Sequence, residues 1–326
     1  MDFQLTTEQT ELRAAVREMC AGTFDIDTLR SLEGRGFDPA RWQTLAEMGV
    51  FSLRVSEEAG GVGLGMADAV LVFEELGRAI VPGPVVWTHL AASLDGIGAS
   101  AASGELVVGG IDLATDGPLL VEHWADLDAL IALGSDEVRA YEPSVLGAEV
   151  LENPLDPLSP VAVVASLEGG DVIGDAATAA RLRSEGTALV AAMQLGIAGA
   201  QTEQASTYAL EREQFGRPIG SFQSIKHILA DMLVRAEVAR AGVYAAGVTL
   251  DDPALGDPER SVSAAKVCAD EAAVENSKAG VQVHGGMGYT WEVPVHYYLK
   301  RAWLLATVFG SAGTHAERIA QAISTA

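Results

Sequence analysis

The apolar residues of this 326-residue chain change their period twice, and that double switch limits the folds open to it more than any single motif does. At the start they recur every three or four residues. Leu12, Ala15, Val16 and Met19 share one helical face, behind Thr6 and Gln9 at the spacing of a capping box. Trp42, Leu45, Ala46 and Met48 repeat the pattern, as does the segment Ala67 to Arg78, and Pro82-Gly83-Pro84 then breaks it. From about residue 100 to 175 the texture becomes short apolar runs divided by Gly, Pro and Asp: Leu106-Val107-Val108, Ala129-Leu130-Ile131-Ala132 and Val161-Ala162-Val163-Val164. These predict strands. Helical periodicity returns from Ala176, where Ile225, Ile228, Leu229, Met232, Leu233 and Ala236 form a face broad enough for bundle packing. The expected fold is mainly α with a small β domain: helical residues 1–99, a β module over 100–175, and a helical bundle over 176–326.

Composition removes several function classes. A hydrophobic fraction of 49% supplies real cores, and no uncharged apolar stretch reaches the eighteen residues of a membrane span. The polar opening MDFQLTTEQTELR lacks the basic and apolar regions of a signal peptide, so a soluble cytoplasmic protein is expected. Cys20 and Cys268 lie far apart in helix-like sequence, against a disulfide framework or a thiolate metal site. A formal charge of −24 repels nucleic acid and anionic lipid, so a phosphate ligand needs a local basic pocket. His89, His123, His227, His284, His296 and His315 show no metal-binding spacing, and no metal is expected. No G-x-S-x-G elbow is present. In the run Gly60 to Gly65, Met66 stands where a dinucleotide fingerprint needs its last glycine, so the run reads as a tight loop.

Two segments carry chemistry. In Tyr208 to Ile219, a helix is expected to end at glycine and another to begin near Phe222-Gln223. Arg212 could hold a phosphate while Phe215 offers a face to an aromatic ring, or Arg212 could be a solvated charge favourable to the helix dipole. In Gln282 to Tyr289, glycines could admit a ligand to the backbone and Gln282 could supply a neutral amide; alternatively Gly285 and Gly286 simply end a helix.

In combination these segments resemble the acyl-CoA dehydrogenase family. Leu210 to Gly216 is similar to its E-R-x-x-F-G element, Gln223 to the glutamine that follows, and Gln282 to Gly288 to Q-x-x-G-G-x-G. Leu45 to Phe51, Gly60 to Gly63 and Phe73-Glu74-Glu75-Leu76-Gly77-Arg78 follow its N-terminal pattern. The resemblance implies a helical N-terminal domain, a β middle domain and a C-terminal four-helix bundle. It also implies FAD, with the flavin ring between β domain and bundle and the adenosine diphosphate reaching a neighbouring subunit. Arg212, Gln214, Phe215, Gln223, Gln282, Gly285 and Gly286 would then be the cofactor-binding residues.

The departures are equally specific. The middle segment is short and lacks the family's T-E-P-x-x-G-S-D and W-I-T elements. Ser311-Ala312-Gly313-Thr314 resembles Y-E-G-T, with Ala312 where the catalytic glutamate usually stands. Some members carry that glutamate on the first bundle helix, where an ungapped register puts Gly186, with Glu185 one residue and about 100° away. Glu185 is therefore a substitute base or a solvated helix-start carboxylate. The resemblance implies α,β-dehydrogenation of an acyl-CoA thioester with electrons passed to electron-transfer flavoprotein. It further implies a larger homologous subunit that completes the site in an α2β2 assembly, as in members that oxidise steroid side-chain thioesters. A non-catalytic structural subunit and a homo-oligomeric enzyme using Glu185 are the alternatives.

Overall fold

The computed structural model describes residues 4–114 and 117–324. Six helices come first: α1 (Thr7–Thr23), α2 (Ile26–Ser31), α3 (Pro39–Glu47), α4 (Met66–Arg78), α5 (Val85–Ala91) and α6 (Gly98–Ala102). The capping box opening α1 is present, with the Gln9 N–H donating to Thr6 Oγ1 and the Thr6 N–H to Gln9 Oε1, both at 3.2 Å. The glycine run before α4 is a loop, turned by Gly60 and Gly63 at φ 84° and 73°.

Seven strands follow: β1 (Val108–Asp112), β2 (Leu119–Glu122), β3 (Ala129–Leu133), β4 (Glu137–Tyr141), β5 (Ala148–Val150), β6 (Val161–Val164) and β7 (Asp171–Asp175). They form two layers, β1-β3-β4-β7 and β2-β6-β5, in which β1 and β3 run parallel and the other pairs antiparallel. The apolar run of β3 is buried on both faces. Leu130 and Ala132 pack with Ile111, Val121, Tyr141 and Val164 between the layers, while Ile131 and Leu133 join the main helical core. The first expected strand is displaced: Leu106 and Val107 precede β1, because Asp128 Oδ2 takes the Val107 N–H at 2.8 Å in a loop contact before the ladder begins.

The remaining helices are α7 (Ala176–Glu211), α8 (Gln223–Asp251), α9 (Pro258–His284), α10 (Val295–Leu305) and α11 (Ala312–Ser324). At 36 residues, α7 is about 54 Å long and joins the β layers to the far end of the bundle. Asp175 caps it, accepting the Thr178 N–H at 2.9 Å.

The segment Phe73 to Arg78 docks the N-terminal helices on this bundle. A Cβ at Gly77 would lie 2.1 Å from the Met193 carbonyl oxygen, and one at Gly196 would lie 1.9 Å from the Glu74 carbonyl oxygen, so glycine on both helices lets α4 and α7 touch by backbone. Glu74 and Glu75 are buried at that crossing. Such carboxylates are tolerable in an interior only when paired. Arg13 and Arg17 meet Glu75 at 3.0 and 2.8 Å, and Glu74 accepts from Arg240 and from the Tyr244 hydroxyl.

Candidate functional site

The two motif segments meet at the far end of the bundle. Tyr208 of α7 stacks on His284 of α9 with ring centroids 4.1 Å apart, and Ala205, Ala209, Met232 and Val283 form a small core beneath them. Above this floor α7 ends at Glu211, earlier than glycine would have ended it. Arg212 is already extended at ψ 118°, and Glu213–Gln214 pairs with Arg217–Pro218 in a two-residue hairpin. Its tip is Phe215 and Gly216, at φ 55° and 76°. Both residues of such a turn need positive φ, which glycine supplies and a bulky residue resists. The strand ladder, not a helix cap, sets this conformation.

Arg212, Gln214, Gln223, Gln282, Gly285 and Gly286 are all exposed on this end, and Phe215 is 92% exposed. The Arg212 guanidinium has no side-chain partner among the described residues. Gln214 donates to the Glu213 carbonyl at 2.7 Å. Gly285 ends α9 at φ 60°, and a Cβ at Gly285 or Gly286 would meet nothing within 4 Å. The arrangement is an open, outward-facing set of one cation, neutral amides, glycine backbone and an aromatic ring. It suits a diphosphate joined to a flat ring system.

The junction between the β layers and α7 is different. Trp87 of α5 and Phe309, beyond α10, stack with centroids 4.6 Å apart at 33°. A Cβ on Gly186 would lie 2.3 Å from Phe309 Cζ, so the phenyl ring takes the space a side chain at that position would need. Glu185 points elsewhere. It is buried, with Arg54 Nη2 at 2.8 Å and Arg181 Nη1 at 3.1 Å. Burial pushes its carboxyl up, but the Arg54 hydrogen bond and charge, with Arg181, hold it below the ordinary range. The structure thus has a buried ion pair where sequence also allowed a solvated carboxylate, because Arg54, in the turn between α3 and α4, is distant in sequence. Ala312 opens α11, half-exposed, with only a methyl side chain.

A cavity of about 300 Å³ adjoins the ring pair, walled by Ile111, Leu120, Val161, Leu304 and Val308. Glu122 of β2 reaches its edge, and burial raises this carboxyl above its ordinary range against the pull of Arg301. Trp87, Phe309 and Glu122 were not singled out from sequence: Trp87 follows the Pro-Gly-Pro breaker, and Phe309 and Glu122 sit in no recognisable motif. Among the described residues no three His, Cys, Asp or Glu side chains are placed to hold a metal, and no helix is long and apolar enough to cross a membrane.

Residues 178–324 match the model of the acyl-CoA dehydrogenase C-terminal domain, and residues 6–102 that of the N-terminal domain. The chain belongs to the acyl-CoA dehydrogenase family. It is 34% identical over 278 residues to the acyl-CoA dehydrogenase IpdE2 of Mycolicibacterium smegmatis, covering 84% of this chain and 85% of that protein. Its fold matches a chain of the ChsE4–ChsE5 complex from Mycobacterium tuberculosis with a TM-score of 0.86, at 24% identity and full coverage of both chains. A structure of PigA with FAD and proline also matches, with a TM-score of 0.86, 21% identity and 99% of each chain covered. The PigA structure holds FAD, the cofactor that the resemblance implies. The open end of the bundle fits its diphosphate and adenine portion, whereas the filled junction does not fit its ring.

Proposed function

We propose that this chain is a subunit of an FAD-dependent acyl-CoA dehydrogenase that acts on an acyl-CoA thioester together with a larger homologous chain. The observation that carries the reading is the contrast between the two sites. The outward end of the bundle leaves Arg212, Gln282 and the Gly285-Gly286 backbone open, while neither Gly186 nor Ala312 supplies a carboxylate. FAD, when bound, supplies the acceptor for the β hydride of the acyl group, and electron-transfer flavoprotein would then take the electrons. Arg212 balances diphosphate charge, Gln214, Gln223 and Gln282 orient polar edges, and Phe215 covers an apolar face. A general base must come within about 3 Å of its proton. Glu185, tied to two arginines, is poorly suited, so the base is assigned to the partner chain.

The relative IpdE2 is named an acyl-CoA dehydrogenase, and the ChsE4–ChsE5 structure is a complex of two named chains; both support the assignment. The test is Arg212→Ala in the assembled protein. Loss of one charge-assisted pair costs about 1.5 to 3 kcal/mol, roughly tenfold to a hundredfold in FAD affinity. Unchanged FAD retention would remove Arg212 from the clamp. The absence of a carboxylate at both expected positions also supports a second reading, a purely structural subunit. In that case the assembled complex keeps its FAD and turnover when Arg212, Gln282 and Phe215 are all replaced.

A further inference from the structure

We infer that Trp87 and Phe309 fill, from within the chain, the slot between β1 and α7 that a flavin ring would need, so that this slot offers no seat for a planar ring. The inference rests on the proposed flavin reading for the ligand it names; the packing stands by itself. Trp87 is 8% exposed and Phe309 1%. The layers on either side carry no side chain where the rings lie. A Cβ at Gly110 of β1 would sit 2.1 Å from Trp87 Cε3, and one at Gly186 of α7 would sit 2.3 Å from Phe309 Cζ. Strand backbone, indole, phenyl and helix backbone thus follow one another across the junction with no gap for a further ring.

The backbone is bent to achieve this. Phe309 has φ 59°, in the left-handed region that a bulky residue occupies at a cost, and Gly310 follows at φ 100°. Strain of this kind persists where the surroundings over-determine it. Here His315, 1% exposed, holds the turn: its Nε2 donates to the Phe309 carbonyl at 3.0 Å and its Nδ1 accepts from Ser263 Oγ at 3.1 Å. What the turn secures is the phenyl ring against Gly186. The cavity of about 300 Å³ beside the pair is walled by both rings, so removing either one extends that cavity into the slot.

Lumiflavin tests this directly, because it is the flavin ring without the diphosphate and adenine that Arg212 and its neighbours would hold. It is titrated into the full-length chain alone, with quenching of flavin fluorescence as the readout. The wild-type chain is expected to give no saturable quenching. Phe309→Gly removes the ring and tolerates the positive φ; Trp87→Leu opens the slot from the other side. Each, shown to be folded by circular dichroism, is expected to bind lumiflavin at one site per chain. Saturable binding by the wild type overturns the inference. So does a pair of folded variants that bind no better than wild type, and Trp87→Leu alone decides the matter if Phe309→Gly does not fold. Failure of the flavin reading itself appears elsewhere, as an assembled complex whose FAD retention ignores Arg212.

Discussion

Replacing Glu185 by glutamine separates a structural carboxylate from a catalytic one. The Glu185 side chain is 6% exposed and that of Arg54 23%, with Arg181 at 41% completing the group. Removing one partner of a fully buried pair costs about 3 to 5 kcal/mol, chiefly because the surviving charge is left unpaired. Arg54 and Arg181 keep some access to water, which lowers the expectation to about 1 to 3 kcal/mol. For a chain of 326 residues, with an unfolding entropy of about 2.1 cal/mol/K per residue, each kcal/mol corresponds to about 1.5 °C in Tm. The carboxyl is held below its ordinary range in the folded state, so its stabilisation is complete above the unfolded pKa of about 4.3 and is lost as pH falls through the lower folded value. Thermal melts of wild type and Glu185→Gln should therefore differ by about 1.5 to 4.5 °C at pH 7 and converge in acid below about pH 4.3. Turnover of the assembled enzyme should stay within a few fold. A fall of several orders of magnitude, with flavin content and assembly intact, would refute this reasoning and make Glu185 the base; equal melting temperatures at pH 7 would refute the energetic part alone.

Gly196→Ala forces a Cβ to within 1.9 Å of the Glu74 carbonyl, and because backbone cannot yield there as a side-chain tip could, soluble expression should collapse while Gly286→Ala, which meets nothing, expresses normally. Lys266, fully buried, pairs with Asp270 at 2.5 Å; Lys266→Met should cost about 3 to 5 kcal/mol in denaturant unfolding, and Lys266→Met with Asp270→Leu should recover most of it. Phe215→Ser should leave the chain's own melting temperature within about 1 °C, because the ring is 92% exposed, yet weaken FAD retention or assembly measured by size-exclusion chromatography of the complex.

Sequence reasoning located what depends on local chemistry. The capping box of α1, the loop at Gly60 to Gly65, β3, β6 and the long helix from Ala176 all follow from period, turn residues and caps, which act over a few residues. The two outward motifs could be named because a recognisable pattern marks them, and the long α7 with the Tyr208–His284 stack explains why segments some seventy residues apart share a surface. What escaped depends on partners distant in sequence. Nothing near Glu185 announces Arg54, and nothing near Gly186 announces that Phe309 fills its space. The hairpin at Phe215 escaped for another reason. Gly216 invited a helix cap, and the ladder between Gln214 and Arg217 overrode that local preference.

Among the described residues two phenylalanines adopt positive φ, and their surroundings account for the strain in opposite ways. At Phe309 the cost is offset inside the molecule, by near-complete burial against Trp87 and Gly186 and by the hydrogen bond from His315 to its carbonyl. At Phe215 the ladder between Gln214 and Arg217 imposes the conformation, while the ring itself stands 92% exposed, edge-on to Phe222 with centroids 6.1 Å apart. A solvent-facing hairpin tip is served best by Asn or Asp before glycine. Phenylalanine there puts an apolar surface in water, and the proposed subunit reading supplies what would cover the ring. The inward end of the molecule is packed by its own side chains, whereas the outward end leaves its ring and polar groups in solvent, the division that the proposed role as one subunit of a shared site requires.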